Sequence, residues 1–260
     1  MDIRFTRHVD ACNNAVLPGA RRAFHIGTAP VGWVGAALAG VLAIHPRVTT
    51  TPDALVLHEA AGLTGLVQRA VDGGFCRARG EMFAVRGEPD GPVLAQIDRG
   101  ALPAFGILAE GVHVNGLVQR SDGLHLWVAR RAATKKLDPG KLDHIVAGGI
   151  SAGMDAAGTV LKEAAEEAGI APELARTARF VGTIRYAMDR PEGLRRDRLS
   201  CYDVDLPEDF VPHPADGEVA GFELWPIERA IEAVRDTDDF KFNVNLVLID
   251  LFRRRGLIGL

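Results

Sequence analysis

The chain has 260 residues, 47% of them hydrophobic and 25% charged, an ordinary globular composition that excludes a disordered chain, a collagen-like fibre and a coiled coil. Acidic residues outnumber basic ones 34 to 30, a formal charge of −4, so the balance offers no general attraction to nucleic acid or to a membrane surface. Three widely spaced cysteines, Cys12, Cys76 and Cys201, form no CxxC pair, which argues against a disulfide framework or a zinc site and for a reducing, cytoplasmic location.

Asp2, Arg4 and Arg7 precede any apolar run, which is unlike a signal peptide. Residues 26–44 carry no charge and match a bilayer span in length, but Pro30 and four glycines favour a buried helix near 31–42. Ala54, Leu55 and Leu57, running into Ala60, Leu63, Leu66 and Val67, suggest a helix over 53–71. Strands follow near 81–85 and 93–97, with Gly87, Asp90, Gly91 and Pro92 between them as a hairpin turn. Residues 1–108 therefore read as a small mixed α/β domain in which nothing catalytic stands out.

The second half, 109–260, is more explicit. Val112, Val114 and Val118 alternate with polar residues, so 111–119 is a strand, and Ser121-Asp122-Gly123 turns it into a second arm over 124–130. A basic loop (Arg130, Arg131, Lys135, Lys136, Lys141) leads to the glycine loop 147–153. A helix is predicted over 156–168, with Asp155 as N-cap and Gly169 as C-cap. Strands near 179–187, 200–206 and 217–225 come next. Pro226 then opens a helix carrying Ile227, Ala230, Ile231 and Val234, and a last helix carries Val244, Val247, Leu248 and Leu251. This order implies an α/β (α+β) fold, a mixed sheet packed between helices.

At about 100° per residue, Glu163, Glu166 and Glu167 share one arc of the 156–168 helix, opposite Leu161, Ala164, Ala165 and Ala168. Three like charges so close destabilise a bare helix, and a hard divalent ion reverses the sign. A solvated acidic face is the bland alternative. The glycine loop and the basic loop just before the helix weigh against it.

Gly148, then five residues, Met154, seven residues, and Lys162-Glu163-Ala164-x-Glu166-Glu167-x-Gly169-Ile170 resemble the Nudix box, G-x5-E-x7-R-E-U-x-E-E-x-G-U. The spacing matches throughout. Met154 and Lys162 replace the usual Glu and Arg, which in the family can pair, so the two changes together drop one ion pair. The resemblance implies a Nudix α/β/α sandwich and a hydrolase that uses Mg²⁺ or Mn²⁺ to cleave an organic diphosphate, with Glu163, Glu166 and Glu167 as metal ligands. Further segments resemble the thiamine-pyrophosphokinase-related Nudix proteins, a branch with an N-terminal domain of uncharacterised role. They are Phe105-Gly106-Ile107, Gly111 to Gly116, Leu126 to Arg131, Pro139 to Asp143, Asp216-Gly217-Glu218-Val219 and Phe240 to Asn243. That likeness implies a substrate such as thiamine diphosphate or its oxidised, damaged forms.

Roles follow as expectations. Glu163, Glu167 and Glu218 are the candidate catalytic acids and bases; Glu218 either shares an apolar strand face, where burial would raise its pKa, or is a turn acid. Arg130, Arg131, Lys135 and Lys136 are candidates for gripping the anionic substrate. Tyr186 and Trp127 are candidates for stacking on a ring, with core packing favoured for Trp127. His113 and Asn115 either line a pocket or sit satisfied in the core. Hydrolysis of nucleoside diphosphate derivatives and a non-catalytic, Nudix-like binding role stay open, as does a homodimer. An isopentenyl-diphosphate isomerase is disfavoured, because no cysteine lies between Lys141 and Gly153.

Overall fold

The computed structural model describes residues 2–214 and 217–259; Asp216, part of the narrower resemblance, lies outside them. Helix α1 (Ile3–Cys12) is followed by β1 (Arg21–Ile26), β2 (Ala29–Gly35), α2 (Ala36–Ala43), β3 (Val48–Thr50), β4 (Ala54–Leu57) and α3 (Leu63–Asp72). The hairpin β5 (Met82–Val85) and β6 (Ala95–Asp98) and a single helical turn, α4 (Leu102–Phe105), complete this part. Strands β2-β1-β4-β3 form one sheet, parallel only between β1 and β4. Phe24, Leu42, Leu55, Leu57, Leu66 and Phe105 are fully buried against one another in its core, each contributing about 1.5–3 kcal/mol by leaving water.

Two helices predicted here begin as strands. The 31–42 helix is β2 followed by α2, because a Cβ at Gly32 would run into the Phe105 carbonyl oxygen and only glycine lets the strand approach α4 so closely. The 53–71 helix is β4, then α3: Ala54 to Leu57 sits between β1 and β3, and a short apolar run has no period that separates a buried strand from a helix. The hairpin is as predicted, with Val85 opposite Ala95 and Met82 opposite Asp98.

From β7 (Leu108–Arg120) onward the chain builds the larger layer, with β8 (Gly123–Arg131), β9 (Leu142–His144), β10 (Val146–Gly149), α5 (Ala156–Ala168), α6 (Pro172–Ala175), β11 (Arg179–Arg190), β12 (Gly193–Asp205), β13 (Val219–Pro226), α7 (Ile227–Asp236) and α8 (Phe242–Arg254). The strand order is β11-β12-β7-β8-β13, with β10 added to β7 and β9 to β8, and the β12–β7 pair parallel in a sheet otherwise antiparallel. Side-chain alternation along β7 assigns the faces. Val112, Val114 and Val118 pack with Val160, Ala164 and Ala168 of α5, while Leu117 packs with Val244, Leu248 and Leu251 of α8. The sheet therefore lies between α5 on one side and α7 and α8 on the other. Helix α1 joins the second layer: Phe5 shares the α7–α8 core, and Cys12 packs with Val247. Among the described residues no helix is long and apolar enough to cross a membrane.

Candidate active site

Helix α5 starts where the Asp155 carboxylate accepts from the Gly158 N–H at 2.7 Å and stops at Gly169, which takes the left-handed conformation (φ 63°). Ile170 N–H closes the end onto the Ala164 carbonyl at 2.9 Å. With Val160, Ala164 and Ala168 buried, Glu163 and Glu166 fall on the open side and Glu167 at the margin, turned inward. Strand β10 passes directly beneath. A Cβ on Gly148 would lie 2.5 Å from Glu163 Cδ, so glycine is what lets the carboxylate rest on the strand. One residue earlier, Ala147 N–H donates to Glu167 Oε2 at 2.8 Å.

Burial pushes Glu167 up to about 8; the Ala147 hydrogen bond pulls the other way, and the charges of Asp143 and Glu163 add to the rise. Glu163 is also raised by burial, against the pull of Lys162. Met154 is 39% exposed and offers Lys162 no charge. The Lys162 ammonium instead lies 3.0 Å from Glu163 Oε1 and 2.7 Å from Glu166 Oε2.

The three glutamates are therefore not drawn to one point. Among the described residues, the group of three potential metal ligands gathered within 4.8 Å is His113, Asp143 and His144, all buried. His113 Nδ1 and His144 Nδ1 share a 2.8 Å hydrogen bond, and Asp143 is already neutralised by Arg131 at 2.7 Å and Lys241 at 3.7 Å. Two cations beside its one carboxylate make that trio a poor host for a third. The helix suits a hard divalent ion better: three carboxylates, one of them buried with a single hydrogen bond among the described residues, and an exposed Glu166 held by Lys162. An ion entering there has to compete with Lys162.

A cavity of about 660 Å³ opens beside this helix. Gly148, Glu163 and Glu166 line it on one side, and Arg79, Glu81, Phe83 and Arg99 line it from the N-terminal part. The hairpin is strapped to the glycine loop: Ser151 Oγ donates to Glu81 Oε1 at 2.8 Å, Ala152 N–H to the Met82 carbonyl at 2.7 Å, and a Cβ at Gly149 would lie 2.5 Å from the Phe83 ring.

Of the predicted substrate cations, Arg131, Lys135 and Lys136 line the cavity. Arg131 is mostly buried and occupied, donating to Asp143, to the Leu137 carbonyl at 2.7 Å and to the Asp138 carbonyl at 3.0 Å, so it shapes the basic loop. Lys136 is exposed at the rim, and Lys135 is ion-paired with Glu218. Arg130 lies outside the lining, donating to the Gly140 carbonyl at 3.2 Å.

Glu218 also lines the cavity, just ahead of β13, whose register slips between Val219 and Gly221. Burial does push its carboxyl up as expected, but the Lys135 hydrogen bond and the charges of Lys135, Arg99 and Arg131 outweigh it, and the net shift is downward. Tyr186 lies outside the lining. It is buried edge-on to Phe242, its hydroxyl donating to Asp197, and is spent on the core. Trp127 is likewise core, packed with Phe222 and Leu224. His113 does both jobs anticipated for it, buried and lining the cavity, whereas Asn115 is buried and donates to Asp203 at 2.8 Å. Sequence reasoning missed Arg79, Arg99, Arg195 and Lys241. They come from separate segments with no shared spacing, and only the packing of the hairpin against the sheet unites them.

The NUDIX domain family model matches residues 110–244, just over half of the chain. Nudix hydrolase 20, chloroplastic, from Arabidopsis thaliana is 42% identical over 180 residues, covering 69% of this chain and 48% of that protein. Nudix hydrolase 24, chloroplastic, from the same plant is also 42% identical over 180 residues, covering 69% and 49%. The chain thus spans about half the length of these curated relatives. The crystal structure of DR0079 from Deinococcus radiodurans superposes with a TM-score of 0.51 at 22% identity over 67% of this chain and 98% of that one, a likeness of fold. The family model over half of the chain and these relatives, matched by the glycine loop and acidic helix of the site, show that the chain belongs to the Nudix hydrolase family.

Proposed function

We propose that this protein is a divalent-metal-dependent hydrolase of the P–O–P bond in organic diphosphates, with thiamine diphosphate or its oxidised forms as the substrate to test first. The observation that carries this reading is the seating of Glu163 on Gly148 and of Glu167 on the Ala147 N–H, which fastens a loop fit for phosphate to a helix fit for a cation. Bound Mg²⁺ or Mn²⁺ on Glu163, Glu166 and Glu167 would neutralise diphosphate charge and acidify a water.

The chain's own residues do the rest. Glu163, half-buried and raised by burial, is placed to take a proton from the attacking water. Glu218, held ionised by Lys135, orients that lysine towards the substrate's phosphates. Lys136 adds charge at the entrance.

The test is phosphate release with Mg²⁺ from thiamine diphosphate, its oxidised analogues, nucleoside diphosphates and nucleotide sugars, with Glu167→Gln as control. We expect release from at least one diphosphate and a loss of 100-fold or more in the variant, with its circular dichroism unchanged. Equal turnover in both proteins would overturn the assignment.

A further inference from the structure

The cavity is lined by charges of both signs: Glu163 and Glu166 with Lys162 on α5, and, from other segments, Arg79, Arg99, Arg195 and Lys241 with Glu81, Glu192 and Asp197. Arg99 is matched by Glu81 at 2.7 Å, Arg195 by Asp197 at 3.0 Å, and Lys241 by Asp143 at 3.7 Å. Arg79 is the exception: among the described residues no carboxylate lies within ion-pair distance of its guanidinium. Arg79 is itself exposed and lines the same cavity as Arg99 and Arg195, and partial desolvation followed by the charges of those two arginines lowers its pKa.

One buried carboxylate fixes the backbone that carries Arg79 and Arg99. Asp98 is 8% exposed and accepts from the backbone N–H groups of Arg79 (2.9 Å), Gly80 (2.8 Å) and Gly100 (2.7 Å). It pins the chain on either side of Arg79 and Arg99, and a Cβ at Gly100 would strike the Arg77 carbonyl oxygen. Clustered like charges with one left unmatched, held by a dedicated anchor at the mouth of a cavity, suit a ligand of high negative charge. A terminal phosphoryl group, up to 2− and able to take two guanidinium forks, fits better than an esterified internal phosphate carrying one charge.

We propose that Arg79, flanked by Arg99 and Arg195, is the subsite for the terminal phosphoryl group of the diphosphate, so that residues outside the matched family region complete the active site. The substrate class it selects is organic diphosphates with a free terminal phosphate, over diphosphates esterified at both ends. The identity of the bound group as substrate rests on the hydrolase reading; the anion site itself does not.

Inorganic phosphate in EDTA is the probe, titrated calorimetrically into the full chain, Arg79→Ala, Arg77→Ala and Glu167→Gln. Arg77 is exposed on the same segment and lies outside the cavity lining. We expect Arg79→Ala to weaken phosphate binding about 10- to 100-fold, the range for one charged hydrogen-bonding group, with Arg77→Ala and Glu167→Gln close to wild type. In turnover, Arg79→Ala should raise KM for free-ended diphosphates by a similar factor and leave doubly esterified ones unchanged. Phosphate binding by wild type that is absent, is unaffected by Arg79→Ala, or is weakened equally by Arg77→Ala would overturn the subsite. Arg79-dependent binding in a protein that hydrolyses no diphosphate would uphold the subsite and defeat the hydrolase reading alone.

Discussion

Glu167 shows at the scale of one residue how a site can be built against stability. Its carboxyl is raised to about 8, so between roughly pH 4.5 and 8 the folded protein holds a proton that the unfolded chain releases. Stability linked to this group is full below about pH 4.5 and is lost as pH rises through 8. The loss is at most about 5 kcal/mol, from 3.5 pH units at 1.36 kcal/mol each. In EDTA, urea unfolding of wild type should weaken over that window, while Glu167→Gln, which has no proton to lose, should show a flatter curve and be the more stable of the two at pH 8. Mg²⁺ should flatten the wild-type curve, since a cation favours the anion. A second prediction concerns Lys162, whose ammonium lies on both Glu163 and Glu166. Lys162→Gln should tighten Mn²⁺ binding several-fold, measured by calorimetry, because the ion no longer displaces a resident charge. Gly148→Ala should do the reverse, forcing Glu163 off the strand: Mn²⁺ binding should weaken at least tenfold with the melting temperature shifted by only a few degrees.

Among elements, α5 is where sequence and structure coincide. Its limits, its Asp155 cap and its Gly169 stop were readable because each rests on a local rule: a side chain accepting from an N–H three residues on, and a left-handed turn that glycine takes without strain. Asp155→Ala should therefore cost about 1 kcal/mol in chemical denaturation. Strand β7 was legible for a similar reason, since period-two alternation marks a strand with different neighbours on its two faces, whereas β9 was not assigned and β10 falls mostly in the stretch read as a glycine loop. Alternation failed at β2 and β4, short apolar segments inside a four-stranded sheet, where the deciding contacts are non-local: Gly32 against Phe105, and β4 against β1 some 31 positions earlier. The acidic arc was legible as an arc. Its convergence was not, because where Lys162 and Glu167 point depends on Met154 and on the Ala147 N–H.

Over the whole molecule, the cavity belongs to neither half alone. Residues from 78–107 and from 109–243 line it together, and the arginines among them carried no spacing that could have announced them. Helix α1 ties the halves further, since it begins the chain yet packs in the α7–α8 layer through Phe5 and against α8 and Tyr186 through Cys12. Removing residues 2–13 would take away Phe5 and Cys12 and expose the α7–α8 core and Val247 that they cover. We expect a melting temperature lower by 5 °C or more by differential scanning calorimetry, with the cavity residues still in place.

The Phe83 ring resting on Gly149 constrains how such proteins can be recombined. Any bulkier side chain at that glycine would lever the hairpin off the loop. A chimera that takes its first hundred residues from one relative and the remainder from another should therefore close its pocket only when the aromatic and the bare backbone it covers are inherited as a pair.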